Sequence, residues 1–161
     1  QKLTSMPDRV AGTMAALLVL LGAAWYACEA RPKPASSSET AQFGGVSLRL
    51  ELATTSAKRQ LGLGERTDVP DDYGMLFVFP KDDYYGFWMK DTLVPLDMFW
   101  LDAGGKVVFT EKDVQPDTYP GVFYPSVPAR YVLETAAGFA DAHGVATGTP
   151  LLLQNWPTVS E

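Results

Sequence analysis

Trp88 and Lys90 stand two apart in Phe87-Trp88-Met89-Lys90-Asp91-Thr92. In an extended backbone, Trp88, Lys90 and Thr92 share one face, while Phe87, Met89 and Asp91 share the other. An indole beside an ammonium makes a platform for an anionic or carbohydrate group. The ring gives a flat apolar surface and the cation gives charge and donors. The blander reading makes Trp88 a core residue and lets Lys90 bridge to a carboxylate. Asp97 follows Pro95-Leu96 and enters the apolar run Met98-Phe99-Trp100-Leu101. A carboxylate at such an edge must be paired, hydrogen-bonded or protonated, because burying it alone costs several kcal/mol. Arg59, Arg66 and Lys90 are its candidate partners. Glu134 ends Arg130-Tyr131-Val132-Leu133-Glu134. It either caps the amides of the helix expected next, where the dipole favours negative charge, or acts as an acid or base. The second role needs a cleft and a raised pKa. Two arrangements stay open: a bidentate Arg–Asp pair tying the first loop to a central strand, or Arg66, Lys90, Asp97 and Glu134 around one polar pocket.

Other chemistries are poorly supplied. His143 is the single histidine, and the single cysteine, Cys28, stands far from it in the chain; a zinc centre usually needs several such ligands, so no metal and no cofactor is expected. Asp71-Asp72 and Asp82-Asp83 flank an apolar run whose extended length is on the order of 20 Å, too far to share one calcium ion. No Gly-x-Ser-x-Gly elbow supports a serine triad, and no glycine-rich phosphate loop is present. Net charge is −6. Residues 43–156 hold nine Lys/Arg against fifteen Asp/Glu, so they lack the basic stripe that nucleic acid requires.

The elements that must position these residues read as mainly β. Val46-Ser47-Leu48-Arg49-Leu50-Glu51-Leu52 alternates, with Val46, Leu48, Leu50 and Leu52 inward. Thr54 to Ser56 cap a short helix through about Leu61, which Gly62 stops. Gly74 to Phe79 is apolar on both faces and predicts a buried strand ended by Pro80. Short strands are expected at Trp88–Lys90, Leu96–Leu101, Lys106–Val114, Ala129–Glu134 and Leu151–Gln154. Asp102-Ala103-Gly104-Gly105 supplies a hairpin turn. Gln115–Pro128, with four prolines, reads as a long surface loop. Thr135 caps a second helix through His143, stopped by Gly144. The expected fold class is mainly β (α+β): a small barrel-like or two-sheet antiparallel domain with two short helices.

The run Gly74-Met75-Leu76-Phe77-Val78-Phe79-Pro80, then Phe87 to Thr92 and Pro95-Leu96-Asp97, resembles domain-of-unknown-function family 192, small β-rich domains of bacteria and archaea. The resemblance spans Val46 to Leu153. Arg59-Gln60-Leu61-Gly62-Leu63-Gly64-Glu65-Arg66 resembles its Arg-x-x-Gly-Leu-Met-x-Arg segment, with Gly64 in place of Met. Tyr131-Val132-Leu133-Glu134 resembles its Tyr-Val-Leu-Glu phrase. Asp91 stands where the family usually has Asn, which sets a carboxylate beside Lys90. The resemblance implies the fold and no settled activity.

Val10 to Ala27 runs 18 positions without a charge, preceded by Lys2 and Arg9. That fits an export signal or a marginal membrane span, with the following domain outside the cytoplasm. Cys28, at its end, is a candidate lipid-attachment site; an uncleaved anchor and cleavage near Ala30 are the alternatives. Glu29–Gln42 has no large apolar residue and reads as a flexible tether with a reach of roughly 20 Å. The expected organisation is therefore 1–28 leader or anchor, 29–42 linker, 43–156 globular domain and 157–161 tail. The expected function is a non-catalytic, cell-envelope binding module for a small polar ligand or a protein partner. Its candidate contacts are Arg59, Arg66, Trp88, Lys90, Asp97 and Glu134, with Tyr84, Tyr85, Trp100, Tyr119 and Tyr124 as possible surface aromatics. A hydrolase or transferase using Asp97 or Glu134 with Lys90 is the alternative, and a structural accessory domain is the third reading.

Overall fold

The computed structural model describes residues 38–160; the apolar run Val10–Ala27, Cys28 and the first part of the expected tether lie outside the described residues. Strands β1 (Ser38–Phe43) and β2 (Val46–Ala53) pair antiparallel across Gly44-Gly45. Both glycines have positive φ, as a tight two-residue hairpin turn requires. At Gly44 a side chain is excluded as well, since a Cβ would lie 2.7 Å from Val145 Cγ2. Ser38–Gln42, the last part of the expected tether, is therefore strand. Its sequence gives little sign of it, because pairing with β2 and burial of Ala41 and Phe43 hold it in place.

Helix α1 (Ser56–Leu61) begins as expected. The Thr55 hydroxyl accepts from the Lys58 amide, and Gly62, with positive φ, closes the helix by donating to the Lys58 carbonyl. Strands β3 (Tyr73–Asp83), β4 (Leu96–Leu101), β5 (Val107–Val114) and β6 (Ala129–Ala136) follow. The six form one sheet in the order β1-β2-β3-β6-β4-β5. The mainly-β class with two short helices holds, but the sheet is single and mixed rather than barrelled, doubled or wholly antiparallel: β2 and β3 run parallel. The connection through α1 makes that direction available. Segment 148–152 hydrogen-bonds to Val107 near one edge and Gln42 at the other, curling the sheet without closing its ladder. Here the expected strand Leu151–Gln154 reduces to isolated bridges.

Each sheet face carries its own core. One packs Phe43, Leu48, Leu50, Leu76, Phe99 and Leu133 against helix α2 (Phe139–Ala142). The other packs Met75, Phe77, Met98, Trp100 and Val132 against Leu63, Phe87 and Met89. Two covered faces explain why β3 and β4 read as continuous apolar runs. Helix α2 starts later than expected, because Thr135 and Ala136 stay extended by pairing with Asp97 and Leu96 of β4. Among the described residues, no helix is long and apolar enough to cross a membrane.

Candidate functional site

The second face carries a cavity of about 460 Å³, between α1 with its following loop and the segment 86–92. Ser56, Arg59, Gln60, Gly62, Phe77, Trp88, Lys90, Thr92 and Glu134 are among its lining residues. Its volume suits a small molecule. A second groove, of about 680 Å³, follows β1 and residues 152–155, and its only ionisable side chain is Glu39.

Backbone alternation sets the rim. Phe87 and Met89 are buried, while Trp88 is 49% exposed and Lys90 also faces out. Segment 87–90 is nevertheless not a ladder strand: only Phe87 bridges, to Phe123. The alternation ends at a turn in which Asp91 takes φ +54°, a conformation Asp and Asn tolerate better than most residues. The Asp91 carbonyl accepts from the Glu65 amide at 2.7 Å, tying this wall to the loop after α1. Lys90 Nζ lies 5.9 Å from the Trp88 ring centroid, within cation–π range. It makes no ion pair, even with its neighbour Asp91, among the described residues. The core indole is Trp100, wholly buried with Nε1 donating to the Tyr85 carbonyl at 2.8 Å. Trp100 is thus removed from the expected surface aromatics. Tyr85 is half-buried against Phe79, whereas Tyr84, Tyr119 and Tyr124 are exposed and Tyr119 meets the edge of Trp88.

Glu134 forms the buried wall. It pairs in register with Met75 and Met98 and points with them into the second core. The residue is 4% exposed, and its carboxyl has no hydrogen-bond partner among the described residues. Burial pushes its pKa up to about 8, so it is mostly neutral at pH 7. Gly62 leaves room above it: a Cβ there would stand 4.0 Å from Glu134 Oε2. Glu134 does not cap α2, because it lies across the sheet from that helix. Arg59 crosses from α1, donating Nη1 to the carbonyls of Thr54 and Val78 at 2.8 and 3.0 Å. Its guanidinium stands 5.5 Å from the Phe79 ring centroid.

The structure separates the other two candidates. Asp97 neighbours Met98 on β4 and therefore faces the opposite side of the sheet from Glu134. It is 1% exposed, and its two oxygens accept from the amides of Asp113 and Ala140, both at 2.8 Å. Backbone amides, not Arg59, Arg66 or Lys90, satisfy this carboxylate, and it anchors the first turn of α2. Arg66 also lies outside the cavity lining. Its Nη2 donates to Glu51 at 2.7 Å and its Nη1 to the Tyr73 hydroxyl, which itself donates to Glu51. Desolvation pushes Glu51 up, but the bonds from Arg66 and Tyr73 outweigh it and hold the carboxylate below its usual range. The expected four-residue pocket therefore keeps Lys90 and Glu134 and loses Arg66 and Asp97. Thr92 joins it, as its place on the face of Trp88 and Lys90 implied, and so do Ser56 and Gln60, which no local motif signalled. Asp72 pairs with Arg49, Asp82 with Arg130 and Asp83 with Lys81. Among the described residues, no three His, Cys, Asp or Glu side chains are grouped to hold a metal.

Comparison with known proteins returns the same family as the motifs. The model of DUF192, described as "Uncharacterized ACR", matches residues 39–153. A crystal structure from Sinorhizobium meliloti 1021, provisionally described as a transcription regulator, is 30% identical with a TM-score of 0.69. That match covers 74% of this chain and 96% of the other. A protein of unknown function from Novosphingobium aromaticivorans is 29% identical with a TM-score of 0.67, over 81% and 96% of the two chains. No curated protein matches. With the matched segment taking in all but the first residue of the sheet and the whole cavity lining, this chain is a member of the DUF192 family.

Proposed function

We propose that the domain is a non-catalytic binding module whose cavity holds a small polar ligand with a flat apolar body, of the carbohydrate or peptide kind. The observation that carries this reading is Glu134, an almost fully buried carboxyl without a hydrogen-bond partner among the described residues, lining the same cavity as Trp88 and Lys90. A carboxyl that faces the cavity and makes no hydrogen bond to the described residues can give one to a ligand. The half-exposed indole at the rim offers stacking area. A titration of the full chain with envelope sugars and short peptides tests it: saturable binding that Trp88→Ala weakens supports the module. No binding at millimolar concentration, with reproducible turnover of some substrate, rejects it. Because Trp88 is half-exposed, that variant should still fold; loss of folding would favour a purely structural domain.

One observation favours a second reading. Glu134 and Lys90 line one cavity, and a carboxyl titrating near pH 8 suits general acid catalysis at neutral pH. Hydrolysis or group transfer by the chain, abolished in Glu134→Gln, would replace binding with catalysis. Asp97 has no part in that scheme.

The proposed setting is the cell envelope, with the N-terminal segment as leader or anchor and Cys28 as a candidate lipidation site. The apolar run Val10–Ala27 supports it. Mass spectrometry of the mature N-terminus and fractionation of the producing cell test it; an intact chain free in the cytosol would reject it. Nucleic acid is not a proposed partner. Nine cations in residues 43–156 face fifteen acids, and five of the nine are already in ion pairs.

A further inference from the structure

We infer that the cavity selects a small carboxylate, with Arg59 and Lys90 supplying charge and the carboxyl of Glu134 supplying a hydrogen bond in its protonated form. This inference rests on the binding reading above and names its ligand class.

Among the described residues the lining holds three ionisable side chains: Arg59 from α1, Lys90 from segment 86–92, and Glu134 from β6. Neither cation pairs with a carboxylate among the described residues. The neighbours of Glu134 on β3 and β4 are Met75 and Met98, and Leu63 and Phe77 add apolar surface. Nothing on these elements holds the acid ionised, and its shift has one cause, desolvation. With Glu134 protonated, the cavity carries two positive charges and one hydroxyl donor. An amine would share the cavity with two like charges. A neutral ligand would leave the two charges unused. A carboxylate uses all three groups, since a carboxylic acid donating to a carboxylate makes a short, charge-assisted bond.

Linkage follows from that bond. Two carboxyl groups sharing one proton resist losing it, so the bound anion raises the pKa of Glu134 further. Reciprocally, ionising Glu134 expels the anion. The affinity for a carboxylate is therefore flat between about pH 5 and 7, where the ligand is ionised and Glu134 is not, and falls by about tenfold per pH unit above pH 8. Binding at pH 9 takes up a proton.

Two matched pairs of probes test this on the full chain by calorimetry: glucuronate against glucuronamide, and N-acetylalanine against N-acetylalaninamide. The first pair represents a sugar acid and the second a peptide terminus. The expected result is that at least one acid binds better than its amide at pH 7, by about tenfold or more. Its affinity then falls between pH 8 and 9.5, with proton uptake shown by buffers of different ionisation enthalpy. Glu134→Gln, which keeps a neutral donor but cannot ionise, should abolish the fall in affinity above pH 8 and the proton uptake. Lys90→Gln, an exposed change, should weaken binding about fivefold at every pH. Amides that bind as well as acids overturn the inference and leave the binding reading standing. An acid whose affinity is unchanged to pH 9.5 overturns the role of Glu134. Failure of all four probes at millimolar concentration overturns the inference and counts against the binding reading beneath it.

Discussion

Two acidic side chains lie one residue out of step on the adjacent strands β4 and β6, and the sheet treats them in opposite ways. Asp97 faces the core under α2 and receives two backbone amides at 2.8 Å. Glu134 faces the other core and receives none. Both residues are almost wholly buried, at 1% and 4% exposure. The difference is therefore partnership and not depth. Asp97 works as a fastener, holding the end of β5 and the start of α2. Glu134 is held by burial alone in a raised-pKa state, and such perturbed groups cluster where a protein binds something.

The largest expected effect breaks the first half of this comparison. Asp97→Ala removes the acceptor of two amides, that of Ala140 buried and that of Asp113 part-buried, and should lower unfolding stability by about 2–4 kcal/mol in denaturant titration. Asp97→Asn, whose amide nitrogen cannot accept, should cost about half as much. A neutral result would show that these amides find other partners. The second prediction sharpens the other half. The folded-state pKa of Glu134 is raised from 4.5 to about 8, so the unfolded chain releases this proton first. Its contribution to stability is thus full below pH 4.5, is lost as pH rises towards 8, and is flat above that. Glu134→Gln should remove this slope and stabilise the chain by about 4 kcal/mol at pH 8, with little effect at pH 4. An unchanged slope would mean that Glu134 is ionised and held by a partner.

Smaller effects belong to the surfaces flanking these carboxyls. Tyr73→Phe removes one donor to Glu51 and one acceptor from Arg66, for an expected loss of about 1 kcal/mol in the denaturation midpoint. Asp91→Asn should stay within about 0.5 kcal/mol, because Asn accepts positive φ at least as well. It should also leave the cavity unchanged, since Asp91 does not pair with Lys90. A marked rise in ligand affinity would show the opposite.

Local pattern made much of the fold legible. The alternation of Val46–Leu52, the doubly apolar Gly74–Phe79 and the cap-and-stop around α1 each depend on residues within one turn or one strand. β1 was hidden because Ser38–Gln42 offers one small apolar residue and owes its strand state to pairing with β2. The late start of α2 was hidden for a like reason: Thr135 is a good cap in isolation, but the ladder with β4 claims it. Trp88 and Lys90 were placed on one face by alternation, and Gly62 by its stop signal. Thr92 falls on that face by the same alternation, whereas Ser56 and Gln60 carry no comparable signature.

By itself, the sequence settled which residues prefer water, which alternate, and that one family's phrases recur in order, because these properties are local and additive. Which buried acid would be satisfied was decided only by the tertiary structure. A hydrogen-bond partner forty-three residues away, as Ala140 is from Asp97, exists only once the strands are registered and the helix is docked. The same registration turned Glu134 to the opposite face of the sheet, where it lines the cavity.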